Sequence, residues 1–185
     1  MNDPEVNSLN ISGLSVDSNN VEDSNKDNEE QNKNTILIEA EELSVKLRNL
    51  AQEIFDELGT GYSESMYHEA FKIILQDNNI RYATEQVLPV CFRSRQIGFV
   101  RADLVILDTQ KYVIELKAIS GFFKETEVNQ LYSYLKKTKM PYGFLINFPQ
   151  PGAKIARTSI DLQIVFLDQS LKSSIPLNDK TIKIV

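Results

Sequence analysis

The residues best equipped for chemistry lie in two short apolar stretches. Phe99-Val100-Arg101-Ala102-Asp103-Leu104-Val105-Ile106-Leu107 carries a lone acid at Asp103, and Tyr112-Val113-Ile114-Glu115-Leu116-Lys117-Ala118 carries Glu115 and Lys117. Their β-branched and aromatic residues favour a pleated strand. Side chains two apart on a strand share a face, so Glu115 and Lys117 point the same way. The polar link Asp108-Thr109-Gln110-Lys111 is short enough for a hairpin turn. The two strands are then neighbours, with Asp103, Glu115 and Lys117 close together. An acid followed by Glu-x-Lys suits metal-assisted hydrolysis of a phosphodiester. Blander readings exist: Asp103 could pair with Arg101, and Glu115 with Lys117 could form a solvated strand face, although the apolar flanks disfavour that.

The elements that must position these residues follow from periodicity. Leu43, Leu47, Leu50, Ala51, Ile54 and Leu58 recur at helical spacing within residues 36–58, and Gly59 is the expected stop. A second helix is expected from Ser63 to Gln76, with Met66, Tyr67, Ala70, Phe71, Ile74 and Leu75 on its apolar face. Three strands follow, at Glu85–Phe92, Gln96–Leu107 and Tyr112–Ala118; Pro89 marks the first as an edge or a bulge. A helix over Lys124–Lys139 turns Val128, Leu131 and Leu135 inward, and Pro141 marks its end. Tyr142–Phe148 is apolar enough for a strand buried on both faces, and Ile160–Leu167 reads as one more strand. Helix, three strands, helix, strand implies a small mixed α/β sheet with helices packed on it.

Charge divides the chain. Residues 1–35 hold eight acids and two lysines, which accounts for the whole net charge of −6; the other residues carry 18 acidic and 18 basic side chains. The acidic pI is therefore a property of the tail and does not exclude a nucleic-acid partner. Rich in Asn, Ser and Asp, residues 1–35 are expected to be a disordered leader, and residues 36–185 one folded domain. The leader lacks a signal peptide's basic start and apolar run, and no stretch approaches the ~20 apolar residues of a membrane span. A soluble intracellular protein is expected. A single cysteine, Cys91, rules out an internal disulfide and a four-cysteine zinc or iron–sulfur site. Cys91 is read as a small buried hydrophobe, and the lone His68 as an ordinary helix-surface histidine.

The order of elements, with Asp on the second strand and Glu-x-Lys on the third, resembles the PD-(D/E)XK nuclease superfamily and implies its restriction-endonuclease-like fold. The flanks sharpen the likeness. Gly61-Tyr62-Ser63-Glu64-Ser65-Met66-Tyr67 has the spacing for which the GxxExxY family is named, and Gln130-Leu131-Tyr132-Ser133-Tyr134 is similar to the Gln-x-x-x-Tyr motif of RecB-like nucleases. Asn147-Phe148 resembles that family's strand ending, with Pro149 where glycine is expected. The resemblance implies Mg²⁺ or Mn²⁺ held by Asp103 and Glu115, with Glu64 as a third acid. It also implies Lys117 at the attacking water or the phosphate. Carboxylates ~5 Å apart repel by about 3 kcal/mol per pair at an effective dielectric near 20, and one lysine cannot balance three of them. Glu64 could equally complement its helix dipole. Tyr67 is read as a core aromatic whose hydroxyl supports the site. Gln130 and Tyr134, four apart on one helical face, take a supporting or DNA-contacting role.

The resemblance implies a metal-dependent nuclease acting on nucleic acid, DNA first, with little sequence specificity. Candidate phosphate contacts are Lys136, Lys137 and Lys139 on one helix end, and Arg93, Arg95 and Arg101 on the strands. The rival is a binding module that keeps the fold without turnover, working with a protein partner or a second copy. The neutral folded part favours that rival; the clustered charges oppose it.

Overall fold

In the computed structural model, residues 19–107, 111–152, 158–173 and 182–184 are described. The chain divides into two units, Met1–Asn34 and Thr35–Val185. Helix α1 spans Asn19–Leu58 and α2 Glu64–Asp77. Strands β1 (Tyr82–Phe92), β2 (Arg95–Leu107) and β3 (Lys111–Lys117) follow, then helix α3 (Glu125–Thr138). The chain continues through β4 (Tyr142–Asn147), β5 (Asp161–Phe166), a 3-10 turn at Gln169–Ser173 and β6 (Ile182–Ile184). The expected leader thus differs from what is seen: residues 19–35 are helical, and residues 1–18 lie outside the described residues. A shortage of apolar side chains precludes a packed core there but not a helix, and the many Asn, Asp and Ser of that stretch, weak helix formers, give no reason for one. The turn expected at Asp108–Gln110 also lies outside the described residues. Among the described residues, no helix is long and apolar enough to cross a membrane.

The six strands lie in the order β1-β2-β3-β4-β5-β6. The first three form an antiparallel meander; β4 joins β3 in parallel after the α3 crossover, β5 runs antiparallel to β4, and β6 is parallel to β5. Alternation sends alternate side chains to opposite faces. On one face Leu104, Ile106, Ile114, Leu116, Phe144 and Ile146 pack under α1 and α2 through Leu47, Ile54, Tyr67 and Phe71. On the other, Val105, Val113, Leu145 and Val165 meet Val128, Leu131, Tyr134 and Leu135 of α3. Every residue of β4 is buried, as expected for a strand covered on both sides.

β1 is an edge strand, one of the two settings its proline implies; Pro89 itself pairs regularly with Phe99, and the register shift between Val90 and Cys91 leaves Ile97 of β2 as the extra residue. Cys91 is exposed, not buried. The apolar run around it belongs to a hairpin whose outer face no helix covers among the described residues. Phe92 pairs with Arg95, leaving Arg93 and Ser94 as a two-residue loop with φ of +47° and +63°, the left-handed pair a tight hairpin turn requires.

Gly143 sets how closely α3 can sit on the sheet. A methyl group there would stand 2.9 Å from Leu131 Cδ1 and 3.2 Å from the Val113 carbonyl oxygen. The Gly143→Ala variant is expected to lose about 1–3 kcal/mol by overpacking, read as a lower urea midpoint. An unchanged midpoint would mean that α3 lifts off the sheet without cost.

Candidate active site

Strands β2 and β3 pair backbone to backbone only as far as Leu104 opposite Ile114. Beyond that point their carboxylates replace the ladder. The Asp103 N–H donates to Glu115 Oε1 at 3.3 Å, and the Leu116 N–H donates to Asp103 Oδ2 at 3.2 Å. Each acid thus satisfies a backbone donor that the parting strands would otherwise orphan. Alternation breaks here as well: Asp103 reaches His68 of α2 while the next residue, Leu104, packs in the α1–α2 core. Two consecutive residues therefore share one side, and across the edge Glu85 has φ of +49°.

Lys117 lies at the centre of the acids. Its Nζ is 3.7 Å from Glu64 Oε1, 3.8 Å from Asp103 Oδ2 and 3.8 Å from Glu115 Oε2. Exposure grades outward, from Glu115 at 1% through Lys117 at 15% to Glu64 at 44%. From the opposite layer, Gln130 Nε2 reaches Glu115 Oε2 at 3.4 Å. The backbone beyond Lys117 is pinned by the buried Asn147: its Oδ1 accepts from the Ile119 N–H at 2.9 Å, and its Nδ2 donates to the Ile119 carbonyl at 3.1 Å. The Phe148 N–H also donates to the Lys117 carbonyl at 2.8 Å.

Burial and the Asp103 charge push the Glu115 carboxyl up to about 8, against the opposing pull of Lys117. Burial also works to raise Asp103, but the His68 contact, the Lys117 charge and the Leu116 N–H outweigh it and hold Asp103 below its ordinary value. One acid is thus protonated and the other ionised at neutral pH, which relieves the repulsion between them.

Glu64, Asp103, Glu115, Lys117 and Gln130, chosen from sequence, converge. Tyr134 lies buried nearby, its phenol pushed up by burial and by the Glu115 charge. Tyr67 does not contact the acids: its hydroxyl donates to the Gly59 carbonyl at 2.7 Å and its ring stacks on Phe148 at 4.4 Å. It holds the turn into α2. Arg101 is exposed two residues along β2 from Asp103, and Lys136 and Lys137 are exposed on the last turn of α3, with Lys136 over the Tyr132 ring.

His68 overturns its reading as an ordinary surface histidine. It is 20% exposed, and its Nε2 lies 3.3 Å from Asp103 Oδ2. Glu64-x-x-x-His68 is an i,i+4 pair on one helical face, and that spacing was the available signal. Donor atoms of Glu64, His68 and Asp103 all lie within 4.8 Å of one another, and Glu115 stands outside that group. Two carboxylates and an imidazole are a donor set that fits a divalent cation.

A family model described as the PD-(D/E)XK nuclease superfamily matches residues 41–158, more than half of the chain. The chain belongs to the PD-(D/E)XK nuclease superfamily. The restriction-endonuclease-like fold of that superfamily is the sheet with flanking helices seen here, and Asp103, Glu115 and Lys117 lie inside the matched span. No curated protein matches the chain. The solved structure described as "Crystal structure of SSO0001" is 21% identical, with 56% of this chain and 50% of that chain covered and a TM-score of 0.43. The chain thus spans half the length of that protein, and the likeness speaks to neither activity nor substrate.

For this PD-(D/E)XK domain the raised Glu115 has a thermodynamic signature. Its folded value of about 8 exceeds the ordinary 4.5, so the folded state binds the extra proton between those pH values. Stability from this group is full below about pH 4.5 and is lost as pH rises through 8, at most about 1.4 kcal/mol per pH unit. Asp103 acts oppositely, losing its contribution only in acid. Urea unfolding in EDTA at a series of pH values should show metal-free protein weakening from pH 5 to 8, and Glu115→Gln should flatten that slope. A parallel slope in the variant would assign the proton elsewhere.

Proposed function

We propose that this chain is a divalent-metal-dependent nuclease that hydrolyses DNA phosphodiester bonds with little sequence specificity. Its likeness at Gly61–Tyr67 and Gln130–Tyr134 to GxxExxY and RecB-like proteins supports the finer reading. The observation that carries the proposal is the convergence of Glu64, His68 and Asp103 beside an ammonium shared by three acids. A structural ion pair needs one acid, not three.

Glu64, His68 and Asp103 would hold the cation, which when bound supplies charge neutralisation at the phosphate and a more acidic water. Lys117 presents positive charge where a phosphate oxygen gains negative charge. Glu115, with its carboxyl raised to about 8, would accept a proton only in its ionised form, which a cation held beside it would favour. Gln130 orients it through the bond to Oε2. Tyr67, through Gly59, fixes the start of α2 and hence the positions of Glu64 and His68.

Glu115→Gln and Lys117→Ala should each lower Mg²⁺- or Mn²⁺-dependent cleavage of plasmid and oligonucleotide DNA by about 10²-fold or more. Far-UV circular dichroism should show both variants folded. Wild-type rates in either variant would remove this cluster as the catalyst. The imidazole makes a second claim: nitrogen ligands suit transition metals, whereas Mg²⁺ takes oxygen. Calorimetric titration should find Mn²⁺ bound more tightly than Mg²⁺, and His68→Ala should narrow that gap. An unchanged Mn²⁺/Mg²⁺ ratio would place His68 outside the metal's ligands.

A further inference from the structure

The acidic site sits in a near-neutral domain, yet the β1–β2 hairpin has a distinct sign. Residues 86–102 contain Arg93, Arg95 and Arg101 and no acid. Residues 36–185 without that stretch hold 18 acidic and 15 basic side chains, so the outer part of the hairpin is one positive stretch of the folded part, residues 128–160 with five basic side chains and no acid being another.

Its two faces differ. Leu88 and Val100 point inward against the α3 core. On the outward face Phe99 and Arg101 alternate along β2, and the next residue in the stripe is Asp103; the register shift leaves Ile97 unpaired beyond Phe99 and turns Arg95 to the other face. Ile97 is 68% and Phe99 64% exposed, and Val87, opposite Arg101, is 51% exposed. Among the described residues, none of the three arginines forms an ion pair with an acid. Phe99 lies about 13 Å along the strand from Asp103, roughly four nucleotides at the 3.4 Å spacing of a stacked strand.

We propose that this outward face binds a single-stranded nucleic acid and leads it into the acidic site, with Arg101 on a phosphate and a base stacked on Phe99. The inference rests on the nuclease reading of that site. An aromatic ring and a cation neighbouring on one track match a strand whose charged backbone and unpaired base faces are both exposed. A duplex hides its base faces and would leave Ile97 and Phe99 in water. A second copy docking the same face would set arginines against arginines.

The test uses full-length protein carrying Glu115→Gln, in EDTA, with anisotropy of a labelled oligothymidylate across a salt series. Arg101→Ala should weaken binding and reduce the slope of log K against log salt by about 0.7, the share of one phosphate. Phe99→Ala should weaken binding about tenfold and leave the slope unchanged. Calorimetric Mn²⁺ binding equal to the parent's would confirm an intact site in each variant. Parent-like affinity and slope in both variants, tighter binding of duplex than of single strand, or no single-strand binding by the parent would each overturn the proposal. So would Phe99→Ala converting a dimer to a monomer with binding unchanged. Cleavage by wild type alongside any of these results would leave the nuclease reading standing. Binding as expected without any cleavage would sink that reading and retain the grip.

Discussion

Two carboxyl groups side by side under a protein surface repel, by about 3 kcal/mol at ~5 Å and an effective dielectric near 20. The Asp103–Glu115 pair is where this domain confronts that cost. It is met by three devices: a proton retained on Glu115, the Lys117 ammonium, and backbone N–H groups aimed at both acids. The last device requires that β2 and β3 part at this point, because an intact ladder would consume the same donors. The geometry of the sheet and the electrostatics of the site are therefore one arrangement. Closing the strands would strand the acids, and removing the acids would leave the strands with unpaired amides.

The helices complete what the strands begin. α3 crosses from β3 to β4 and lies close on the sheet because Gly143 lacks a side chain, and that closeness brings Gln130 to Glu115. From the other layer α2 brings Glu64 and His68, its start fixed by the Tyr67 hydroxyl on Gly59 and by Gln150, whose Oε1 accepts from the Gly61 N–H at 3.0 Å. Asn147 anchors the chain after Lys117 through both ends of its amide. Buried polar side chains of this kind remain only where they are hydrogen-bonded.

Much of this could be read from the sequence because it is local. Asp103, Glu115 and Lys117 sit on adjacent strands with a short link, and strand pairing brings them near one another, although the break in alternation that turns Asp103 towards α2 was not legible. Gln130 was legible as a polar residue on an apolar helical face. His68 was not, because its value depends on how α2 is rotated against a strand distant in sequence. Cys91 failed for a related reason: an apolar run looks buried, but on an edge hairpin without a helix above it half of that run faces outward. The helical start at Asn19 escaped because composition reports on burial, and a helix can form without burial.

The site draws on α2, β2, β3 and α3, and only the β2–β3 portion is close in sequence. Glu64 and His68 must close a long loop onto Asp103, and Gln130 arrives only when the parallel β3–β4 crossover has formed. Loops of that length are closed late because their entropy is lost before their contacts are gained. The β2–β3 hairpin alone would hold an acid, a Glu and a Lys, but not the group that could grip a cation. On the function proposed above, a chain still emerging or partly unfolded would therefore be chemically silent, and completion of the fold would itself be the last step of its activation.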